Sequence, residues 1–164
     1  MATKSLASCI FCKIIKGEIP SFKLIETEKV FSFLDIGPLS KGHALIIPKY
    51  HAEKLHELPD EYFTDVLPAA KKIAIALGAE NYNLLQVSGR GPCLMLILSR
   101  FTRTHLTPLQ NNGRIAHQEV DHVHFHVIPK PGPSDTEGLV VGWPAQKPSM
   151  DELKKLHEEL VSKL

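Results

Sequence analysis

Apolar residues fall along this chain in short blocks, each bounded by glycine, proline or a charged turn. Ile10 to Ile14 opens the first block, and Gly17 with Pro20 closes it. Lys23 to Glu26 and Val30 to Asp35 read as two short strands joined by a turn over residues 26–29. Beyond the loop marked by Gly37-Pro38 and Gly42, His43 to Pro48 reads as a buried strand. The period then changes. Tyr62, Phe63, Val66, Leu67, Ala70, Ile73 and Leu77 recur at about 3.6-residue spacing, which predicts a long helix within Pro59 to Leu77, stopped by Gly78. Pro68 inside that pattern predicts a kink or a helix start close to it. Tyr82 to Gln86 and Asp121 to Pro129 predict two further strands. Ser149 with Glu152 forms a capping box ahead of Leu153, Leu156, Leu160 and Leu164, the apolar stripe of a C-terminal helix. Hairpin-linked strands with interspersed helices predict an α+β domain around a mostly antiparallel sheet. With no internal repeat and no dividing linker, residues 1–164 read as one domain.

Composition narrows the partners more than the fold. A hydrophobic content of 43% with 23% charged residues is that of an ordinary globular domain with a real core. A net charge of +1 and no basic patch give no reason to expect nucleic acid. The longest apolar run, Cys93 to Leu98, is too short to span a bilayer, so no membrane partner is expected. The first residues carry no apolar signal-peptide core, and three cysteines make an odd number for a disulfide framework. Together these predict a reducing, intracellular setting: the cytoplasm, with the nucleus beside it.

The densest chemical signal is His122-Val-His124-Phe-His126-Val-Ile128. In an extended strand alternate side chains share a face, so the three histidines face one way and Val123, Phe125 and Val127 the other. Same-face neighbours then stand roughly 7 Å apart, the span of a phosphate with its substituents. Imidazole can serve as nucleophile, as acid or base near neutral pH, or as metal ligand. A metal-binding strand and a half-exposed strand with incidental histidines remain as competing readings.

This pattern, His-φ-His-φ-His-φ-φ, resembles the motif of the histidine triad superfamily at every position. Further stretches resemble its Hint branch: Cys9-Ile-Phe-Cys-Lys-Ile-Ile, Phe33-Leu-Asp-Ile, residues 42–51 and Asn111-Asn-Gly. Gly142-Trp-Pro-Ala-Gln is similar to the fungal members of that branch. The resemblance covers roughly residues 8 to 160. It implies a HIT-like fold with a long central helix and a C-terminal helix. The implied activity is that of an adenosine 5′-phosphoramidase, cleaving the P–N bond of AMP-lysine or AMP-NH2. His124 would attack the α-phosphate and carry AMP transiently. His43 would support the nucleophile by holding its second ring nitrogen. His126 would bind phosphate oxygens together with Asn111 and Gln118, a ring of donors suited to phosphoryl transfer. Phe11, Ile14, Phe33 and Ile36 would line the purine slot, and Asp35 would accept the ribose hydroxyls; for each apolar residue, plain core packing is the alternative.

Cys9-x-x-Cys12 lacks the βαβ surroundings of a thioredoxin-like redox pair. The resemblance implies a structural zinc held by Cys9, Cys12, His51 and His122, the alternative being two reduced, buried thiols. That would assign His122 to metal and leave His124 for chemistry; no cofactor is required for the reaction itself. Relatives are generally homodimers, which the resemblance carries over. Cleavage of dinucleoside polyphosphates, removal of AMP from DNA ends, and a catalytically weak nucleotide-binding or scaffold role are the rival functions.

Two departures from the pattern are small: His117 replaces a usual Gly, and Glu119 a usual small hydroxyl residue. The large one is residues 87–110, 24 residues standing where the pattern runs from Gln86 straight into Asn111. The segment carries Arg90, Arg100 and Arg103 and no acid, so removing it takes the net charge from +1 to −2. Its lack of a periodic pattern, and borders compatible with splice signals (Val-Ser at one end, Gln at the other), suggest a retained intron translated in frame. A genuine long loop is the other reading, and closure entropy permits it, rising only about 0.6 kcal/mol per doubling of length.

Overall fold

The computed structural model describes residues 5–88, 111–112, 120–133, 137–139 and 148–163. The N-terminal apolar block forms helix α1 (Ile10–Ile15). A β-meander follows: β1 (Lys23–Glu26), β2 (Val30–Leu34) and β3 (Ala44–Pro48). Two 3₁₀ turns, Leu55–Glu57 and Asp60–Phe63, lead into α2 (Val66–Ala76). Then come β4 (Tyr82–Ser88), β5 (Asn111–Asn112), β6 (His124–Pro129) and the C-terminal helix α3 (Met150–Val161).

The sheet order is β1-β2-β3-β6-β4-β5. Five strands pair antiparallel, and the two-residue β5 joins β4 in parallel. β6 therefore lies at the centre, between β3 and β4, in the most protected position of the sheet. The α+β, mostly antiparallel expectation holds.

Two layers cover the sheet, one on each face. Val66, Ala69, Ala70 and Ile73 of α2 pack with Val30, Ala44, Ile46, Phe125 and Val127 into one core. Phe11, Cys12 and Ile14 of α1 pack with Phe31, Phe33, Leu45 and Ile47 into a second. The helical period between Pro59 and Leu77 resolves into a 3₁₀ turn and then α2, which starts beside Pro68 as expected. Pro68 sits at the third helical position, where the backbone has no N–H partner to lose. The capping box at α3 forms: Ser149 Oγ accepts from Glu152 N at 3.3 Å, and Ser149 N donates to Glu152 Oε2 at 2.7 Å. No helix among the described residues is long and apolar enough to cross a membrane.

One expectation needs correcting. The strand predicted from Asp121 begins only at His124, and residues 120–122 form a bend. His122 N donates to Val120 O and Val123 N donates to Ala52 O, both at 2.8 Å, so these amides are spent outside the ladder. The three histidines are therefore not one face of one strand. His124 and His126 are; His122 belongs to the bend. Most of the segment 87–110 lies outside the described residues, and so do Gln118, His117 and Glu119.

Candidate active site

β6 supplies His124 and His126 to the face covered by α1, and the loop before β3 supplies His43 beside them. Register explains the placement: Leu45 of β3 and Leu85 of β4 both stand opposite His126, and Phe125 points to the α2 side. His124 and His126 have ring centroids 5.0 Å apart, closer than backbone spacing alone predicts because the rings tilt together.

The hydrogen bonds assign the tautomers. His124 Nδ1 lies 2.6 Å from the backbone carbonyl of His122. A carbonyl only accepts, so Nδ1 carries the proton and Nε2 keeps a bare lone pair. His43 Nδ1 accepts from Leu39 N at 3.1 Å, which leaves its proton on Nε2. That Nε2–H faces His126 Nδ1 at 2.7 Å, so His126, when neutral, carries its proton on Nε2. The result is one ring with a free lone pair beside one ring with a free N–H.

Burial keeps these rings neutral. It pushes the pKa of His124 down to about 3, helped by the neighbouring His126, and that of His126 to about 3, helped by His43. Burial also lowers His43, against the pull of Asp35, whose carboxylate stands 3.6 Å from His43 Nε2. A nucleophile that is already unprotonated at neutral pH needs no base to activate it.

This geometry corrects one expected contact. His43 supports His126, not His124; the nucleophile's second nitrogen is held by the backbone of its own neighbour. Spacing along the chain could not show this, because the partner is a carbonyl that every residue possesses.

His122 turns the other way. Its Nε2–H donates to Pro48 O at 2.8 Å, and its Nδ1 faces Cys9 Sγ at 3.5 Å, Cys12 Sγ at 3.7 Å and His51 Nδ1 at 3.3 Å. Cys12 Sγ stands 3.5 Å from His51 Nδ1. All four ligand atoms lie within 4.8 Å of one another, and all four residues are buried. A tetrahedral ion with bonds of about 2.0–2.3 Å needs edges of about 3.3–3.8 Å, so the set could hold a metal ion. Asp35, His43 and His126 also cluster, but 2.7 Å between two nitrogens is the distance of a shared proton, too short for two ligands of one ion.

The remaining candidates are placed as follows. Phe11, Ile14 and Phe33 are buried in the second core, and the Phe11 ring centroid lies 5.0 Å from that of His124, so Phe11 both packs in the core and borders the site. Asp35 is half-buried and accepts from Gly37 N at 2.8 Å. Ile36 is 92% exposed, in the loop between β2 and β3. The Asn111 backbone pairs with Val87, and Val87 occupies the register position opposite His124. The Asn111 side chain and Gln118 lie outside the described residues.

Comparison with known proteins gives the family. The HIT domain family model matches residues 16–132. Adenosine 5'-monophosphoramidase HNT1 of Saccharomyces cerevisiae is 54% identical over 158 residues, spanning 96% of this chain and 84% of that protein. The protein of the same name from Candida albicans is 53% identical, spanning 98% and 93%. Among solved structures, the histidine triad nucleotide-binding protein from Candida albicans superposes with a TM-score of 0.76 at 51% identity, covering 95% of this chain and 96% of that one. A HIT family protein from Bacillus anthracis superposes with a TM-score of 0.75 at 30% identity, covering 98% and 99%.

Proposed function

Because this chain belongs to the HIT domain family, we propose that it hydrolyses adenosine 5′-phosphoramidates through a covalent AMP–histidine intermediate on His124. The observation that carries the reading is the tautomer pattern: His124 Nε2 has a bare lone pair while His126 presents an N–H two residues away. His124 Nε2 attacks the α-phosphorus in line with the P–N bond. That bond breaks, the amine leaves with a proton taken from solvent (the attacking water returns one in the second step), and His126 Nε2–H stabilises charge on the phosphoryl oxygens. Water then attacks the phosphorus, releasing AMP and restoring neutral His124. That relatives of this chain are named adenosine 5'-monophosphoramidase supports a P–N substrate, for which we take AMP-lysine and AMP-NH2, over dinucleoside polyphosphates.

The test is incubation with a fluorogenic adenosine phosphoramidate, with intact mass read on quenched samples. Wild type is expected to turn over and to show an AMP adduct. His124→Ala is expected to lose at least about 10³-fold in rate and all of the adduct. Turnover in His124→Ala at the wild-type rate would remove the nucleophile from the mechanism.

The metal reading is zinc on Cys9, Cys12, His51 and His122. Two thiolates and two imidazoles close the coordination shell, so zinc there would supply structural bracing and no open position for substrate. A homodimer is favoured by apolar residues left exposed on adjacent elements: Leu67, Ile75 and Leu77 in and just after α2, Tyr82 and Leu84 on β4. Tyr82 to Leu85 also have no strand on their outer side among the described residues. The buried free thiols suit a reducing compartment, consistent with the cytoplasm and nucleus.

A further inference from the structure

His122 belongs to two sites at once. Its side chain completes the four-ligand cluster, and its backbone carbonyl accepts the Nδ1–H of His124 at 2.6 Å. Residues 120–122 form a bend outside the sheet ladder, so strand pairing does not set the direction of that carbonyl. What sets it are the anchors of this segment. Among them are the His122 ring between Pro48 O and the three other ligands, the His122 N bond to Val120 O, and the Val123 N bond to Ala52 O. Ala52 itself follows the ligand His51 in the chain. From the other side, Phe11 sits between Cys9 and Cys12 in sequence and packs roughly perpendicular to both rings, its centroid 5.9 Å from that of His122 and 5.0 Å from that of His124. The acceptor of His124 Nδ1–H and the Phe11 ring packed against it are thus both tied to ligands of the cluster.

We propose that the Cys9–Cys12–His51–His122 cluster positions the nucleophile, with the His122 carbonyl and Phe11 acting as positioning groups that hold His124 in its Nδ1–H tautomer and aim Nε2 at the substrate. The inference rests on the reading of the cluster as a zinc site and goes beyond it: bracing the fold and orienting the nucleophile are separate jobs. Without the metal, the Cys9–Cys12 turn and the His122 ring lose their common tether. The His124 ring then loses both its acceptor and its packing edge, although the sheet and α2 remain.

The experiment uses the full chain labelled with ¹⁵N-histidine. Metal content is measured by plasma mass spectrometry before and after chelation, and far-UV circular dichroism checks that the fold is retained. Long-range ¹H–¹⁵N correlation spectra read the His124 tautomer, and phosphoramidate kinetics separate kcat from KM. Metal removal is expected to replace the single Nδ1–H signature of His124 with exchanging tautomers. It is also expected to lower kcat about 10- to 100-fold with KM changed far less, the usual scale for loss of a supporting shell, and added zinc is expected to restore both. His51→Cys, which keeps four ligands, is expected to hold zinc and the tautomer, whereas His51→Ala is expected to lose both. A folded, zinc-free protein with an unchanged His124 signature and unchanged kcat overturns the proposal while leaving the zinc site standing. A chain that binds no zinc at any stage overturns both.

Discussion

His124 and His126 stand two residues apart on one strand, yet their surroundings give them opposite hydrogen-bonding faces. One ring is bonded through Nδ1–H to a carbonyl; the other accepts at Nδ1 from His43. Both are held neutral by burial, as is His43. This neutrality has a stability consequence. A histidine whose folded pKa lies below its unfolded value of about 6.5 binds fewer protons in the native state, so acid favours unfolding. Its effect is absent above pH 6.5 and grows as pH falls toward the folded pKa, which for His126 is about 3. Each such ring steepens the loss by up to about 1.4 kcal/mol per pH unit. The urea midpoint is therefore expected to be flat from pH 8 to 7 and to fall steadily from 6.5 to 5. His126→Gln should flatten that slope; an identical slope in the variant would discount the buried ring as its source. At this scale the candidate histidines were legible in the sequence. Their tautomers were not, because Leu39 N, Pro48 O and the His122 carbonyl are backbone groups with no signature of their own.

At the scale of elements, the two periodicities marked the strands and α2 to within a few residues. The errors came where tertiary bonds override pattern. β6 starts at His124 because Val123 N is already taken by Ala52 O. The turn into β3 shows the reverse, a local requirement visible in the sequence. Gly42 has φ of +87°, and a Cβ there would meet Leu77 Cδ2 at 2.6 Å. The side-chain clash can relax, but the left-handed backbone cannot, so the conformation sets the cost. Gly42→Ala is expected to destabilise the protein by about 1–2 kcal/mol, read as a lower urea midpoint at unchanged m-value. An unchanged midpoint would mean that the loop before His43 accommodates the side chain by shifting.

At the scale of the whole molecule, two features invite tests: the exposed apolar residues on α2 and β4, and the place of Asn111 beside Val87. If two copies meet through those apolar residues, Ile75→Glu should convert a dimer to a monomer in light scattering, since a charge would be buried at the contact. A wild-type protein that elutes as a monomer at all concentrations rules this out. Removing residues 87–110 joins Gln86 to Asn111 and puts Asn111 in the register position that Val87 now holds opposite His124. The shortened chain is expected to turn over adenosine phosphoramidates faster and to stay soluble at higher concentration, because the apolar run from Leu94 to Leu98 is gone. Equal rates for both forms would show that Asn111 needs no such register. Transcript reads that lack these 72 nucleotides would identify the shorter chain as the cellular one.

By itself the sequence determined the family and the α+β architecture and singled out the candidate histidines, since all of these are written in side-chain type and spacing. Only the tertiary structure decided how the histidines divide their work. That division depends on which ring nitrogen meets a carbonyl, which meets another ring and which meets two thiols. Those partners lie up to 113 residues away, and they are brought to one point by sheet order and by a bend that ends the central strand early.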